Sequence, residues 1–157
     1  MKVLVTGFEP FGGEKINPSW EAVKALPDEL DGATLMKVRL PVSFKGVREI
    51  LPRLIVKERP DIVLLTGQAG GRPNVTVERV AINVMDSEVP DNDGFKPEDE
   101  PVFEGAPDAY FATIPVKAVV VRHFRVHHVY RNPLDGHVRP SACLACQEDD
   151  IGPLPSD

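Results

Sequence analysis

Asp61-Ile-Val-Leu-Leu-Thr66 runs directly into Gly67-Gln-Ala-Gly-Gly-Arg-Pro-Asn74 and then Val75-Thr-Val-Glu78-Arg-Val-Ala-Ile-Asn83, and the reading of this stretch decides the fold. Asp61 to Thr66 is a short, nearly unbroken apolar run, the pattern of a central strand covered on both faces. It stops in a glycine-rich turn, where the plain reading is a backbone that only Gly tolerates. Val75 to Val84 then reads as another strand. Its alternation sets Val75, Val77, Arg79, Ala81 and Asn83 on one face, and Thr76, Glu78, Val80, Ile82 and Val84 on the other. Glu78 is therefore expected among apolar neighbours, buried beside the turn. Open α/β sheets bind ligands at the carboxyl ends of their strands. This block delivers a carboxylate and several backbone N–H groups to such a place.

Outward from this block, strand and helix patterns alternate. Lys2 to Thr6 is a first strand stopped by Gly7, and Gly7 to Gly13 is a turn-rich loop in which Phe8 and Phe11 flank Pro10. Asn17-Pro-Ser starts a helix, with Asn17 or Ser19 as cap and Pro18 in the first turn, running to about Leu26. Thr34 to Pro41 is a second strand. Ser43 to Lys57 places Phe44, Val47, Ile50, Leu51 and Leu54 at helical spacing, and Pro52 inside it implies a kink or a late start. Asp86 to Pro107 is an acidic loop or flap, Ala109 to Ile114 a short strand, and Val116 to Val126 a helix with Val119, Val120 and Phe124 inward. This order predicts an α/β protein, a three-layer sandwich on a mostly parallel twisted sheet. Residues 1–131 read as a single domain. Residues 132–157 carry prolines at 133, 140, 153 and 155 and the acidic run Glu148-Asp-Asp150, without apolar period, and read as a poorly ordered tail.

Composition narrows the function. A chain of 157 residues, 42% hydrophobic and 27% charged, is ordinary for one globular domain. A net charge of −6 argues against nucleic acid and anionic membrane surfaces, which reward a basic face. No apolar run approaches the roughly 18 residues of a membrane span. The two cysteines, Cys143 and Cys146, make no disulfide framework, so a reducing cytoplasm is expected.

Each motif has a plain and a functional reading. Gly12 is followed by Gly13 and Glu14, so the phosphate-loop pattern fails; Gly67 to Gly71 opens no helical pattern, so the dinucleotide pattern fails too. Glu78 is either a partner of Arg79 or Arg72, or a buried carboxylate that orients a catalytic imidazole. Phe8 and Phe11 are either a core edge or an apolar slot for a small neutral ring. Asn17 is at least a helix cap. His123, His127 and His128, with Cys143 and Cys146, suggest a metal-binding regulator as an alternative, although Leu144 and Ala145 lack the turn chemistry of a zinc knuckle.

Val5-Thr-Gly-Phe-Glu-Pro-Phe-Gly-Gly13, Asn17-Pro-Ser19, the Gly67 to Asn83 block, Pro90-Asp-Asn92 with Gly94, and Gly105-Ala-Pro-Asp-Ala-Tyr-Phe111 together resemble the pyroglutamyl-peptidase I family over roughly residues 1 to 120. The resemblance implies an α/β sandwich and a cytosolic cysteine peptidase that removes N-terminal pyroglutamate from peptides. It also implies no cofactor and a homo-oligomer, often a tetramer. By motif position Glu78 matches the catalytic glutamate. Phe8, Phe11, Asn17 and Gln68 match residues that line or bind the pyroglutamyl pocket, and Val89 an apolar wall of it. In the family a Cys thiolate attacks the carbonyl after pyroglutamate and a His, oriented by the Glu, moves the proton. The family's nucleophile motif is Ser/Ala-Gly-aromatic-x-Cys-Asn. Here Pro140-Ser-Ala-Cys143-Leu-Ala-Cys146-Gln147 stands at about the right distance, without the Ala-Gly pair, the aromatic or the Asn, and no histidine follows Cys146. Cys143 is the candidate nucleophile. The C-terminal part reads as incomplete, truncated or altered in frame from near Val121, which adds a catalytically inactive truncated relative as an alternative.

Overall fold

The computed structural model describes residues 1–70, 75–113 and 129–131. Its main sheet is built from β1 (Lys2–Phe8), β2 (Glu29–Leu30), β3 (Ala33–Leu40), β4 (Ile62–Leu65) and β9 (Val129–Arg131), in the order β2-β3-β1-β4-β9. β1 pairs in parallel with β3, Val3 opposite Leu35, and with β4, Val3 opposite Ile62. The edge strands β2 and β9 are antiparallel to their neighbours. The fold is therefore α/β, with a mixed but mostly parallel sheet.

Among the described residues two helices make the outer layers, one on each face. α1 (Pro18–Ala25) begins where the Asn17 side chain accepts the Ser19 N–H at 3.0 Å, with Pro18 at its first position. α2 (Phe44–Glu58) begins where Ser43 Oγ accepts the Gly46 N–H at 2.9 Å, and it ends at Arg59 in the left-handed region (φ 46°), before Pro60. It starts at Phe44 with Pro52 inside, so the proline does not delay the start. β1 is apolar on both sides because both sides are covered. Val3 and Val5 pack with Val23 of α1 and Ala33, whereas Leu4 packs with Phe44, Val47, Leu51 and Ile55 of α2. Losing one such buried side chain to alanine costs about 2–5 kcal/mol.

Gly7 shows how closely α1 sits on the sheet. A Cβ there would lie 2.6 Å from Trp20 Cα and 2.7 Å from Ser19 C and O. Only hydrogen in place of a side chain lets the first turn of the helix touch the strand.

The Val75 to Val84 strand differs from expectation. Only β5 (Val80–Ile82) and β6 (Val84–Met85) are strand, each in a two-stranded ribbon, β5 with β8 (Ala109–Phe111) and β6 with β7 (Glu100–Pro101). The faces are also reversed. Ala81 and Met85 are buried, whereas Val80 and Ile82 are 41% and 60% exposed. Both faces of this run carry apolar residues, so alternation alone does not say which turns inward. Met85 and Val102 join the core on the α2 side. Residues 71–74, the helix expected over 116–126 and the tail at 132–157 lie outside the described residues. Among those described, no helix is long and apolar enough to cross a membrane.

Candidate functional site

From β1 the chain crosses over α1 to β3 on one side, then over α2 to β4 on the other side of β1. The connections from β1 and β4 therefore part company at their carboxyl ends. Such a switch point opens a crevice, and it is the general ligand position of doubly wound sheets. Here it lies between Phe8 and Gly67. A Cβ on Gly67 would stand 3.8 Å from Phe8 Cε2, so the aromatic ring covers the start of the glycine-rich loop. Thr66 closes the two strand ends together, donating to Thr6 O from its N–H at 3.1 Å and from its Oγ1 at 2.7 Å. Gly67 and Gly70 are not among the residues with positive φ, contrary to the tight-turn expectation; Gly12 (φ 66°) and Gly13 (φ 81°), in the first loop, are.

Phe8 is half-buried and packs on the α2 side of the core. Its N–H donates to Ser19 Oγ at 3.0 Å, and that hydroxyl donates to Asn17 Oδ1 at 2.8 Å. Asn17 is 5% exposed. Its Nδ2 donates to Glu9 O at 2.9 Å, a bond that uses one of its two N–H donors. Asn17 is thus both the cap of α1 and a brace on the loop that carries the aromatics. Phe11 is 37% exposed, in a turn where Glu14 N–H donates to Phe11 O at 3.2 Å.

The segment after Asp86 is fastened to the loop after β1 and to the start of α2 by the Pro90-Asp-Asn92 motif. Asp91, buried, accepts the N–H of Phe44 through Oδ2 at 2.9 Å, and those of Asp93 and Phe95 through Oδ1, both at 2.9 Å. One carboxylate thereby satisfies a free N–H at the start of α2 and shapes its own turn. Ser43 Oγ donates to Asp93 Oδ2 at 2.5 Å. Asn92 Nδ2 donates to Pro10 O and to Glu9 Oε1, each at 3.0 Å, and Glu9 Oε1 also accepts the Val42 N–H at 3.1 Å. Val89, on this segment, is 54% exposed, with its carbonyl held by Ser87 Oγ at 2.7 Å.

Of the residues singled out from sequence, the structure groups Phe8, Phe11, Asn17 and, through these bonds, the Val89 segment. Gln68 stands exposed just after β4. Glu78 is half-buried, two residues before β5, and Val80 and Ile82, expected beside it, are exposed. Cys143, Cys146 and all four histidines lie outside the described residues. Among the described residues no group of three or more His, Cys, Asp or Glu is placed to hold a metal ion, so the metal-regulator alternative gains no support. Sequence reasoning missed Glu9, Asp91 and Asn92 as organisers. The signal was present in the Asp-Asn-Asp-Gly run at 91–94, which is dense in turn-forming side chains, and in a lone charge between two aromatics at position 9.

Comparison with known proteins bears on the fold and the family. The family model for pyroglutamyl peptidase matches residues 1–129. The chain is 82% identical over 120 residues to the pyrrolidone-carboxylate peptidase of Thermococcus kodakarensis, covering 76% of this chain and 58% of that protein. The corresponding protein of Thermococcus onnurineus is 77% identical over 120 residues, covering 76% and 60%. Among solved structures, a mutant pyrrolidone carboxyl peptidase from Pyrococcus furiosus superposes with a TM-score of 0.73 at 48% identity, covering 76% of this chain and 58% of that one. Pyroglutamyl peptidase I of Bacillus amyloliquefaciens gives 0.70 at 45% identity over the same share of each. The chain thus spans about three-fifths of the length of the relatives it matches.

Proposed function

Because the chain belongs to the pyroglutamyl peptidase family, we propose that it is built to act as a cysteine omega-peptidase that removes N-terminal pyroglutamate from peptides. The observation that carries the reading is the crevice between the ends of β1 and β4. There Phe8 stands at the end of β1 against Gly67, and the buried Asn17 braces the loop that carries Phe8 and Phe11. A pyroglutamyl group is a small, neutral, five-membered lactam. Its ring suits the aromatic faces of Phe8 and Phe11 and the exposed wall at Val89, and its amide suits Asn17 and Gln68. In this reading Glu78 orients the imidazole that takes the nucleophile's proton, and Cys143 is the nucleophile. Pyroglutamyl peptides are the substrates, no cofactor takes part, and the cytoplasm is the site of action. Homo-oligomers fit the bare apolar face of the β5/β8 ribbon, where Phe111 is 75% exposed beside Val80.

One observation favours a second reading, a relative that keeps the pocket without the chemistry. The family match ends at residue 129, before Cys143. A single experiment separates the two. Pure protein is assayed with a chromogenic pyroglutamyl amide and titrated with pyroglutamide, then both measurements are repeated on Cys143→Ala. Turnover abolished by the substitution supports the peptidase. Binding of pyroglutamide without turnover supports the second reading, and absence of both refutes the pocket.

A further inference from the structure

We infer that Glu9 is the positioning residue of the pocket, holding its mouth in shape through a carboxylate that never needs to touch the ligand. The inference rests on the pocket proposed above and adds a residue to it. Glu9 is the junction at which three separate segments meet. Its N–H donates to Leu40 O at 2.9 Å, at the end of β3. Its carbonyl accepts Asn17 Nδ2 at 2.9 Å. Its Oε1 accepts the Val42 N–H at 3.1 Å and Asn92 Nδ2 at 3.0 Å. Asn92 closes the circuit from the other side, donating its own N–H to Val42 O at 2.9 Å and Nδ2 to Pro10 O at 3.0 Å.

Four of the five residues assigned to the pocket depend on this junction. Phe8 precedes Glu9 directly, Phe11 follows it by one turn residue, Asn17 is bonded to its carbonyl, and Val89 lies on the segment that Asn92 anchors. The parts come from sequence positions far apart, 33 residues between Glu9 and Val42 and 83 between Glu9 and Asn92. The loop after β1, with Pro10, Gly12 and Gly13, is irregular backbone with no strand or helix ladder to fix it. A charged acceptor holding two N–H donors is among the stronger fasteners available. With Oε1 so occupied, the carboxylate serves the scaffold.

The test uses the full chain and three variants: Glu9→Ala, Glu9→Gln and Asn92→Ala. Amide exchange is followed at Val42 and across 88–95, and pyroglutamide affinity is measured by titration. Glu9→Ala is expected to speed exchange at Val42 and weaken pyroglutamide by about tenfold, the cost of one charge-assisted bond. Glu9→Gln keeps an acceptor oxygen and is expected to restore both to within about threefold. Asn92→Ala spares the Val42 bond, so it should loosen 88–95 and weaken pyroglutamide while Val42 stays protected. It covers the case in which Glu9→Ala fails to fold. Affinity unchanged in Glu9→Ala and Asn92→Ala while 88–95 exchanges faster would overturn the inference, because the clamp would then not shape the pocket. Failure of Glu9→Gln to restore affinity would overturn it too. Absence of pyroglutamide binding by the unsubstituted chain refutes the underlying pocket itself, an outcome visible before any variant is made.

Discussion

Replacing Gly7 by alanine should move a whole helix. The added Cβ would meet three backbone atoms of α1 at 2.6, 2.7 and 2.7 Å. Carbon atoms rest at about 3.5–4.0 Å, so α1 must retreat by about 1 Å. Backbone atoms cannot rotate away as a side-chain tip can. A retreat of that size forfeits a quarter to a half of the dispersion energy where Val23 meets Val3 and Val5. It also stretches the Phe8 N–H to Ser19 Oγ bond from 3.0 Å to beyond hydrogen-bond range. Overpacking costs about 1–3 kcal/mol and the lost bond about 1 kcal/mol, so the total is about 3 kcal/mol. Urea melts should show a lower midpoint at unchanged slope, and thermal melts a fall of about 6–12 °C. Gly70→Ala is the control. Among the described residues nothing lies within 4 Å of its would-be Cβ, and its φ is not in the left-handed region. It should be neutral or slightly stabilising. A loss below about 0.5 kcal/mol for Gly7→Ala would refute the claim that helix and strand are in backbone contact there.

Among the described residues buried Thr6 Oγ1 has no hydrogen-bond partner, so Thr6→Val should raise stability by about 1 kcal/mol, read as a higher urea midpoint. Asp91→Ala strands three N–H donors, those of Phe44, Asp93 and Phe95, and should cost about 3 kcal/mol in the same melts, with Asp91→Asn costing less because one oxygen remains. Glu58 is held below its ordinary value of 4.5 by hydrogen bonds from Lys2 and Lys57, then by the charge of Lys2. A carboxylate with a lowered folded pKa adds stability above its unfolded value and loses it as pH falls through the folded one. The stability gap between the unsubstituted chain and Lys2→Met should therefore close as melts are taken from about pH 6 to about pH 3; a gap that widens on acidification contradicts the pairing.

The parallel heart of the fold was legible because its signals are local. Lys2 to Thr6 and Asp61 to Thr66 are apolar on both faces, and Asn17, Pro18 and Ser43 mark helix starts by side chains that act within three residues. β2 and β7, at two residues each, carry no period to detect, and β7 includes Pro101. The orientation of Val80 to Met85 was illegible for another reason: the choice of inner face is made by the core it packs on, where Met85 joins Phe44, Val47 and Leu51 of α2. At the site, the candidates with aromatic or amide chemistry could be named from their motifs. The Glu9 clamp could not, since its bonds join residues 33 and 83 positions apart, and no window of sequence contains both ends.

The contiguity of β1, α1, β3, α2 and β4 sets the order in which this protein is made. All five are complete by Leu65, including both helices and the three parallel strands at the centre of the sheet. A nascent chain emerging from the ribosome thus carries the floor of the crevice before Asn92 has been synthesised. At about 5–20 residues per second, the interval is a few seconds. During that interval Phe8 and Phe11 have their strand and helix but not the anchor from the far segment. The mouth of the pocket is therefore the late-arriving part of a structure whose base is early, and premature termination between Leu65 and Asn92 leaves the first without the second.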